Sequence, residues 1–186
     1  MNIMFLAGFP LKDAGGVGRV SETLAHEFKI KGHTVTFLAA QTGKGGLVDG
    51  VPQLFLPTRR PGCMKNRRYL ADLVEEQNID VIVNQAGANR TLTELVLSVR
   101  GRCAIFSVHH NCVSCLQDMH KVIVDHTLDR YRVPRWLRSA LGYRLLKERS
   151  KRQTARCFER LSSEGNKLVL LAPSFVSELS TFSKKI

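Results

Sequence analysis

Short apolar runs alternate along the chain with longer stretches of helical periodicity. Residues 2–7 are mostly apolar and stop at a Gly-Phe-Pro sequence, which is typical of a strand buried on both faces. The runs that predict strands are 2–7, 34–40, 51–56, 80–84, 103–108 and 167–172. Such strands, separated by helices, predict an α/β protein with an open parallel sheet that is covered by helices on both faces.

Helical patterns fill most of the gaps between these runs. In the first helix, apolar residues recur at three- and four-residue spacing, and Ser21 is among the polar residues predicted to face away from the sheet. The apolar positions are Val17, Val20, Leu24 and Phe28. Further helices are predicted at 65–77, at 91–100 and from about 174. The stretch 43–50 contains four glycines and predicts a flexible loop.

The stretch 113–165 has no strand signal and is predicted to be a helical insertion. Between Arg130 and Arg160 it carries eleven basic and two acidic residues, a net charge of +9. Apolar residues recur there at helical spacing, which predicts an amphipathic basic helix. They are Val133, Trp136, Leu137, Ala140, Leu141 and Leu145.

Composition fits a single folded domain. The chain has 186 residues, of which 44% are hydrophobic and 24% charged, so it can bury a full core and is too apolar for disorder. No apolar run is long enough to span a bilayer, and the first residues lack the signals of a secretory leader. Five cysteines at irregular spacing favour reduced thiols over a disulfide framework. These features predict a cytoplasmic protein.

The charge balance predicts an anionic partner. The chain has 28 lysines and arginines against 16 aspartates and glutamates, a net charge of +12. Nucleic acid, a membrane surface and a phosphorylated substrate are the partners that such an excess suits.

Polar residues follow several predicted strands at their carboxyl ends. Asn84 and Gln85 follow the fourth strand, whereas His109, His110 and Asn111 follow the fifth. Open parallel sheets bind ligands beyond these ends, near the point where the strand order reverses. Several polar strand ends on one edge therefore favour a binding cleft.

Two glycines open the first predicted helix. Gly15 and Gly16 allow close approach of a ligand to the backbone, and the free amides of the first helical turn attract anions. The glycine spacing does not match a dinucleotide-binding turn, and the second strand ends at Gln41 without the acid that such a site needs for ribose. A nicotinamide or flavin cofactor is therefore not predicted.

The order of these motifs resembles the N-terminal domain of the retaining glycosyltransferases of family 4, which have the two-domain GT-B fold. The first forty residues carry the closest resemblance, with Gly-Gly-Val-Gly-Arg at 15–19 and Lys-Gly-His-Thr-Val at 31–35. The strand at 80–84, Ser-Val-His at 107–109 and Val-Leu-Leu-Ala-Pro-Ser-Phe at 169–175 follow in the family's order. The resemblance implies a Rossmann-like sheet that forms the first half of a GT-B fold.

The resemblance also implies a reaction. Such enzymes move a sugar, here of the hexosyl type, from a nucleotide-sugar donor to an acceptor with retention of configuration and without a further cofactor. The N-terminal domain holds the acceptor, for which a cell-surface glycan or a lipid-linked molecule is expected. The C-terminal domain binds the donor and carries a Glu-x7-Glu pair. Residues 1–186 do not include that domain, so this chain alone is predicted to be inactive.

Site residues follow from the same resemblance. Gly15 and Gly16 match the glycines that approach the donor diphosphate, and His109 matches the family histidine near the transferred sugar, the predicted catalytic residue. The family often has an acid at the next position, where this chain has His110. The predicted acceptor contacts are Asn84, Gln85, Asn111, Arg135 and Arg138.

A metal site is an alternative interpretation of the segment after the fifth strand. Its histidines and Cys-x-x-Cys sequence are residue types that bind zinc, but a second convincing ligand couple is lacking. The group comprises His109, His110, Cys112, Cys115 and His120. We therefore predict no metal, with the two cysteines as small, partly buried residues.

The basic helix leaves three alternatives open. It suits an anionic membrane or lipid-linked acceptor, nucleic acid, or a solvated face whose apolar stripe packs on the sheet. No nucleic-acid motif accompanies the charge, so no nucleic-acid partner is expected, and peripheral attachment to the inner face of the cell membrane is favoured. A second basic group is predicted to line the same acceptor surface: Arg59, Arg60, Lys65, Arg67 and Arg68. The rival function is a non-catalytic basic α/β module that binds nucleic acid or an anionic membrane.

Overall fold

The fold is taken from a computed structural model of the chain. It describes residues 1–13, 15–85, 89–110, 139–163, 166–171 and 173–182.

Seven strands form one sheet in the described residues. They are β1 (Asn2–Ala7), β2 (Thr34–Ala39), β3 (Gly46–Val48), β4 (Val51–Phe55), β5 (Val81–Asn84), β6 (Ala104–His109) and β7 (Lys167–Leu170). Their order across the sheet is β3-β4-β2-β1-β5-β6-β7, and every pairing except β3 with β4 is parallel. The parallel strands have the order of a doubly wound sheet, which confirms the predicted Rossmann-like fold.

Five α-helices connect or follow the strands in the described residues. They are α1 (Gly15–Ile30), α2 (Met64–Glu76), α3 (Arg90–Val96), α4 (Ala140–Ser162) and α5 (Pro173–Phe182). Alternate residues of the sheet bury one cluster against α1 and a second against α2, α3 and α4, so helices cover both faces. The strands and helices predicted from periodicity in 1–110 are confirmed.

The buried face of α1 differs from the predicted stripe by about one residue. Val20 and Leu24 are exposed, whereas Ser21, predicted to face solvent, is fully buried together with Gly18 and Ala25. Small residues on this face let the helix lie close to the sheet, and Phe28 of the same helix, one of the predicted apolar positions, packs there as well. The ring of Phe5 in β1 lies 6.1 Å from that of Phe28 and 5.6 Å from that of Phe37.

The predicted flexible loop at 43–50 contains a strand instead. β3 pairs antiparallel with β4, and Val48 faces Val51 across a two-residue turn. Asp49 and Gly50 in that turn have φ values of 48° and 73°, the left-handed conformation that suits a tight hairpin. The Asp49-Gly50 pair itself predicts a hairpin, but the loop was predicted from the number of glycines alone.

The described part of the predicted insertion is α4, which is part of the domain's helical layer. It lies between the parallel strands β6 and β7 and packs on α3, β7 and α5. Parallel neighbours require such a crossover connection. Of its apolar stripe, Leu141 and Leu145 are 66% and 55% exposed, so they do not pack on the sheet. Val133, Trp136 and Leu137 lie outside the described residues.

A buried asparagine shapes the loop before α2. The Oδ1 atom of Asn66 accepts a hydrogen bond of 3.1 Å from the amide of Thr58, and its Nδ2 atom donates to the carbonyls of Thr58 and Arg60 at 3.0 and 2.8 Å. Asn66 is fully buried. Its side chain therefore fixes the loop on which Arg59 and Arg60 lie.

The packing of α1 predicts opposite effects for adjacent substitutions. Val20→Ser should change the free energy of unfolding by less than about 0.5 kcal/mol, because Val20 is exposed. Ser21→Leu should reduce it by about 2 kcal/mol, because a larger side chain overpacks the buried face. Urea unfolding followed by circular dichroism measures both changes. A larger loss of stability for Val20→Ser than for Ser21→Leu would support the predicted apolar stripe as the buried face.

Loss of the Asn66 amide should destabilise the fold. Asn66→Leu leaves three backbone groups without these partners and should lower the free energy of unfolding by about 3 kcal/mol. The control is Asp72→Asn, an exposed position of the same helix, with an expected change below about 0.5 kcal/mol. Equal unfolding midpoints for the two variants would contradict this role.

Candidate functional site

The candidate site lies at the carboxyl ends of the parallel strands. The chain runs outward from β1 to β2 and β4, and then returns to β5 on the other side of β1. The strand order therefore reverses between β1 and β5, where doubly wound sheets bind ligands. The start of α1, the residues after β5 and the residues after β6 all belong to this edge.

The start of α1 is open. Gly15 has a φ of +56°, a conformation that favours glycine, and both Gly15 and Gly16 are exposed. Within the described part of the chain, a Cβ atom added at either position would meet no atom within 4 Å, so packing against these residues does not require the glycines. The first turn holds no acidic residue, so its amides and the positive end of the helix remain available to an anion.

The two polar residues that end β5 have different surroundings. Asn84 is fully buried, and its Nδ2 atom donates a hydrogen bond of 3.1 Å to the Ser107 hydroxyl of β6. Gln85 donates its backbone amide to the carbonyl of Leu6 at 2.8 Å, which ties it to β1. Its side chain is buried and hydrogen-bonds His110 through Oε1. Asn84 and Gln85 thus connect the end of β5 to β1 on one side and to β6 on the other.

The histidine at the end of β6 packs into the helical layer. His109 is 5% exposed, and its ring meets that of Phe158 in α4 edge to face, with centroids 4.9 Å apart. The imidazole therefore lies on the α4 face of the sheet, and this packing fixes its orientation.

The next residue, His110, was predicted only as a polar residue at the edge of the sheet and as a member of the alternative zinc group. It is half-buried, and burial lowers the pKa of its imidazole, so the ring is neutral at pH 7. Its Nε2 atom contacts Gln85 Oε1, across the ends of β5 and β6. The alternation of side chains along an extended strand was the signal that adjacent histidines have different surroundings.

Several predicted residues lie outside the described part of the chain. They are the acceptor contacts Asn111, Arg135 and Arg138 and the zinc candidates Cys112, Cys115 and His120. Among the residues that are described, no group of three His, Cys, Asp or Glu side chains is placed to hold a metal ion. Cys63, Cys103 and Cys157 are free thiols.

The second basic group surrounds the start of α2. Arg67 differs from the rest, because its guanidinium pairs with Glu94 of α3 at 3.0 Å, and Arg90 pairs with the same carboxylate at 3.0 Å. The remaining members are exposed: Arg59, Arg60, Lys65 and Arg68. None of the described helices is both long and apolar enough to cross a membrane.

A cavity of about 330 Å³ lies away from this edge, between α1 and the β3–β4 hairpin. Its lining includes Glu22, His26, Lys29 and Asp49. Val51, the first residue of β4, also lines it, so the cavity is near the amino end of that strand. It does not share residues with the candidate site.

Comparison with known proteins identifies the family. The family model for Glycosyltransferase Family 4 matches residues 14–158, from the start of α1 to Phe158 in α4. A search of curated proteins finds no match. The family match covers more than half of the chain, and the sheet has the strand order of a Rossmann-like GT-B half. The chain therefore belongs to glycosyltransferase family 4 and forms the N-terminal domain of such an enzyme.

Proposed function

We propose that this chain is the acceptor-side domain of a retaining hexosyltransferase that moves sugar from a nucleotide-sugar donor to a cell-surface glycan or lipid-linked acceptor. The observation that carries the proposal is the exposed start of α1, whose first turn contains no acidic residue, at the carboxyl edge of a family-4 domain. Transfer leaves a nucleoside diphosphate, and free helix-terminal amides stabilise the negative charge that develops on it.

The glycines have a direct role in this proposal. Gly15 and Gly16 have no side chain, and none of the described residues fills the space beside their Cα atoms, so a diphosphate can approach the backbone amides. Donor binding is assigned mainly to the C-terminal domain of the GT-B fold, and acceptor binding to the N-terminal domain.

The edge residues provide the acceptor side. We assign His109 to the vicinity of the transferred sugar because it matches the family histidine at the end of β6, although its ring is only 5% exposed and packs on Phe158. Gln85, at the strand-order reversal, is the best placed of the described acceptor contacts. Asn84 supports the edge through Ser107. The proposed contacts of Asn111, Arg135 and Arg138 rest on the sequence alone.

An anionic membrane surface is the proposed location of the acceptor. On α4, exposed Leu141 and Leu145 accompany exposed cations, the combination that holds a helix at a membrane interface. The exposed cations of α4 are Arg144, Lys147, Arg149, Arg152, Arg156 and Arg160. Each basic residue near an anionic surface contributes about 1 kcal/mol. Peripheral attachment to the inner face of the cell membrane follows from this proposal.

Charge placed at the start of α1 tests the diphosphate role. In the two-domain enzyme, Gly16→Glu should reduce kcat/KM by about 100-fold, because a carboxylate opposes the leaving diphosphate. It should not lower the melting temperature, because acids stabilise helix N-termini. A panel of nucleotide sugars and thermal unfolding provide the measurements.

The matched control adds the same charge two turns further along the helix. Thr23→Glu, at an exposed position of α1, should leave turnover nearly unchanged. Equal activities for the Gly16 and Thr23 variants would contradict the proposal that the start of α1 binds the diphosphate.

Vesicle binding tests the membrane proposal. The chain should sediment with phosphatidylglycerol vesicles and much less with phosphatidylcholine vesicles, and added salt should release it. The double variant Leu141→Ser/Leu145→Ser should bind about tenfold more weakly, because it loses apolar contact with the lipid.

Val176→Ser on α5 is the matched control, since Val176 is also exposed but lies outside the basic helix. If the chain does not associate with vesicles, the basic face of α4 is only solvated. Association with RNA or DNA in place of vesicles would favour the non-catalytic nucleic-acid module.

A further inference from the structure

A glutamine is buried on the face of the sheet that α1 covers. Gln53 of β4 lies on the same face as Val51, two residues before it, because side chains alternate along a strand. The register places Gln53 beside Phe37 of β2, which in turn pairs with Phe5 of β1. All three of these neighbours belong to the apolar cluster under α1. A polar side chain in such a place needs a hydrogen-bond partner, because leaving it unpaired is unfavourable.

The partner of Gln53 is the backbone of the segment between β1 and α1. Its Oε1 atom accepts a buried hydrogen bond of 2.9 Å from the amide of Leu11. Leu11 begins a short 3₁₀ turn, Leu11–Asp13, and the first amides of a helical turn have no acceptor within it. A side chain 42 positions away in the sequence therefore satisfies a backbone donor of this segment.

The same turn is restrained by two further contacts and lies next to α1. The Leu11 side chain is buried in the apolar cluster under α1, and the Asp13 amide donates a hydrogen bond of 2.9 Å to the carbonyl of Pro10. The turn contacts α1, whose first residue, Gly15, is two positions after Asp13. A turn that is held at Leu11 therefore restrains the start of α1.

We propose that Gln53 is a positioning residue for sugar transfer, because its bond to Leu11 holds the start of α1 in the orientation that receives the leaving diphosphate. This assignment rests on the diphosphate role proposed for Gly15 and Gly16. Backbone amides stabilise developing negative charge best when they are oriented in advance, so a loosened helix start stabilises the transition state less. An apolar side chain at position 53 would suit the cluster, but it would not accept the bond from Leu11.

NMR relaxation of the ¹⁵N-labelled chain tests the hold of Gln53 on the helix without a donor or turnover. Gln53→Met keeps the length of the side chain and removes the acceptor. The order parameters of the Gly15 and Gly16 amides should then fall from about 0.85 to about 0.6 or below. Gln53→Glu keeps an acceptor oxygen at the same distance along the side chain and should preserve the wild-type values. Equal order parameters for the wild type and Gln53→Met would overturn the proposal.

A matched variant separates positioning from a general loss of stability. Val51→Ala truncates a buried residue of the same strand and the same cluster, and leaves the bond to Leu11 in place. Both Val51→Ala and Gln53→Met should lower the melting temperature, the first through a cavity and the second through an unpaired amide. Gly16 should become mobile in Gln53→Met alone. The same loss of order in both variants would contradict a positioning role, because it would follow from a weakened cluster.

In the two-domain enzyme, the kinetic effect should fall on turnover. Gln53→Met should reduce kcat about tenfold, which corresponds to the loss of one hydrogen bond, and should leave the KM of the acceptor nearly unchanged. The reason is that the start of α1 is proposed to contact the diphosphate and not the acceptor. Gln53→Glu should restore most of the wild-type kcat, and Val51→Ala should retain it at a temperature where both are folded. A change confined to the KM of the acceptor would overturn the proposal.

Failure of this proposal is distinguishable from failure of the transferase proposal. A two-domain enzyme that transfers sugar equally well with Gln53→Met would retain the function and exclude the positioning role. A chain in which Gln53→Met loosens the start of α1, while the two-domain enzyme transfers from no nucleotide sugar, would retain the hold of Gln53 on the helix and exclude the function.

Discussion

The pairing of β1 with a parallel strand on each side is the constraint on which the rest of the structure depends. β1 is matched along its whole length by β2 and over four residues by β5, and Met4, Phe5 and Leu6 are fully buried. Parallel pairing directs the carboxyl ends of these strands to one edge. The start of α1, the Gln85–His110 contact and His109 share this edge because of the pairing, although Gly15 and His109 are 94 positions apart in the sequence.

Periodicity in the sequence was sufficient for the elements but not for their contacts. The predicted strands match because buried parallel strands require nearly continuous apolar runs. The face of α1 was misassigned because Val20 and Leu24 are more hydrophobic than Gly18 and Ser21, whereas the buried face combines small residues with the ring of Phe28. Hydrophobicity alone carries no information about the size of the side chains opposite.

At the candidate site, too, the positions of residues could be predicted from the sequence but their contacts could not. Sequence motifs located the edge residues, because polar positions after strands are visible in the chain itself. Strand alternation indicates that His109 and His110 have different surroundings, but their partners, Phe158 in α4 and Gln85 after β5, are distant in sequence and were not predicted. The fully buried Asn66, which organises the loop before α2, was equally invisible, because its hydrogen-bond partners are backbone groups with no sequence signature.

The lateral borders of the sheet bear on how the protein behaves in concentrated solution. β3 and β7, the outermost strands described, have three and four residues, and β7 begins with the exposed cation Lys167. Short outer strands present few unpaired amide and carbonyl groups, and a lysine there opposes the approach of a second sheet. A strongly apolar central sheet is thus compatible with a monodisperse protein, since its margins are poor templates for fibrous assembly.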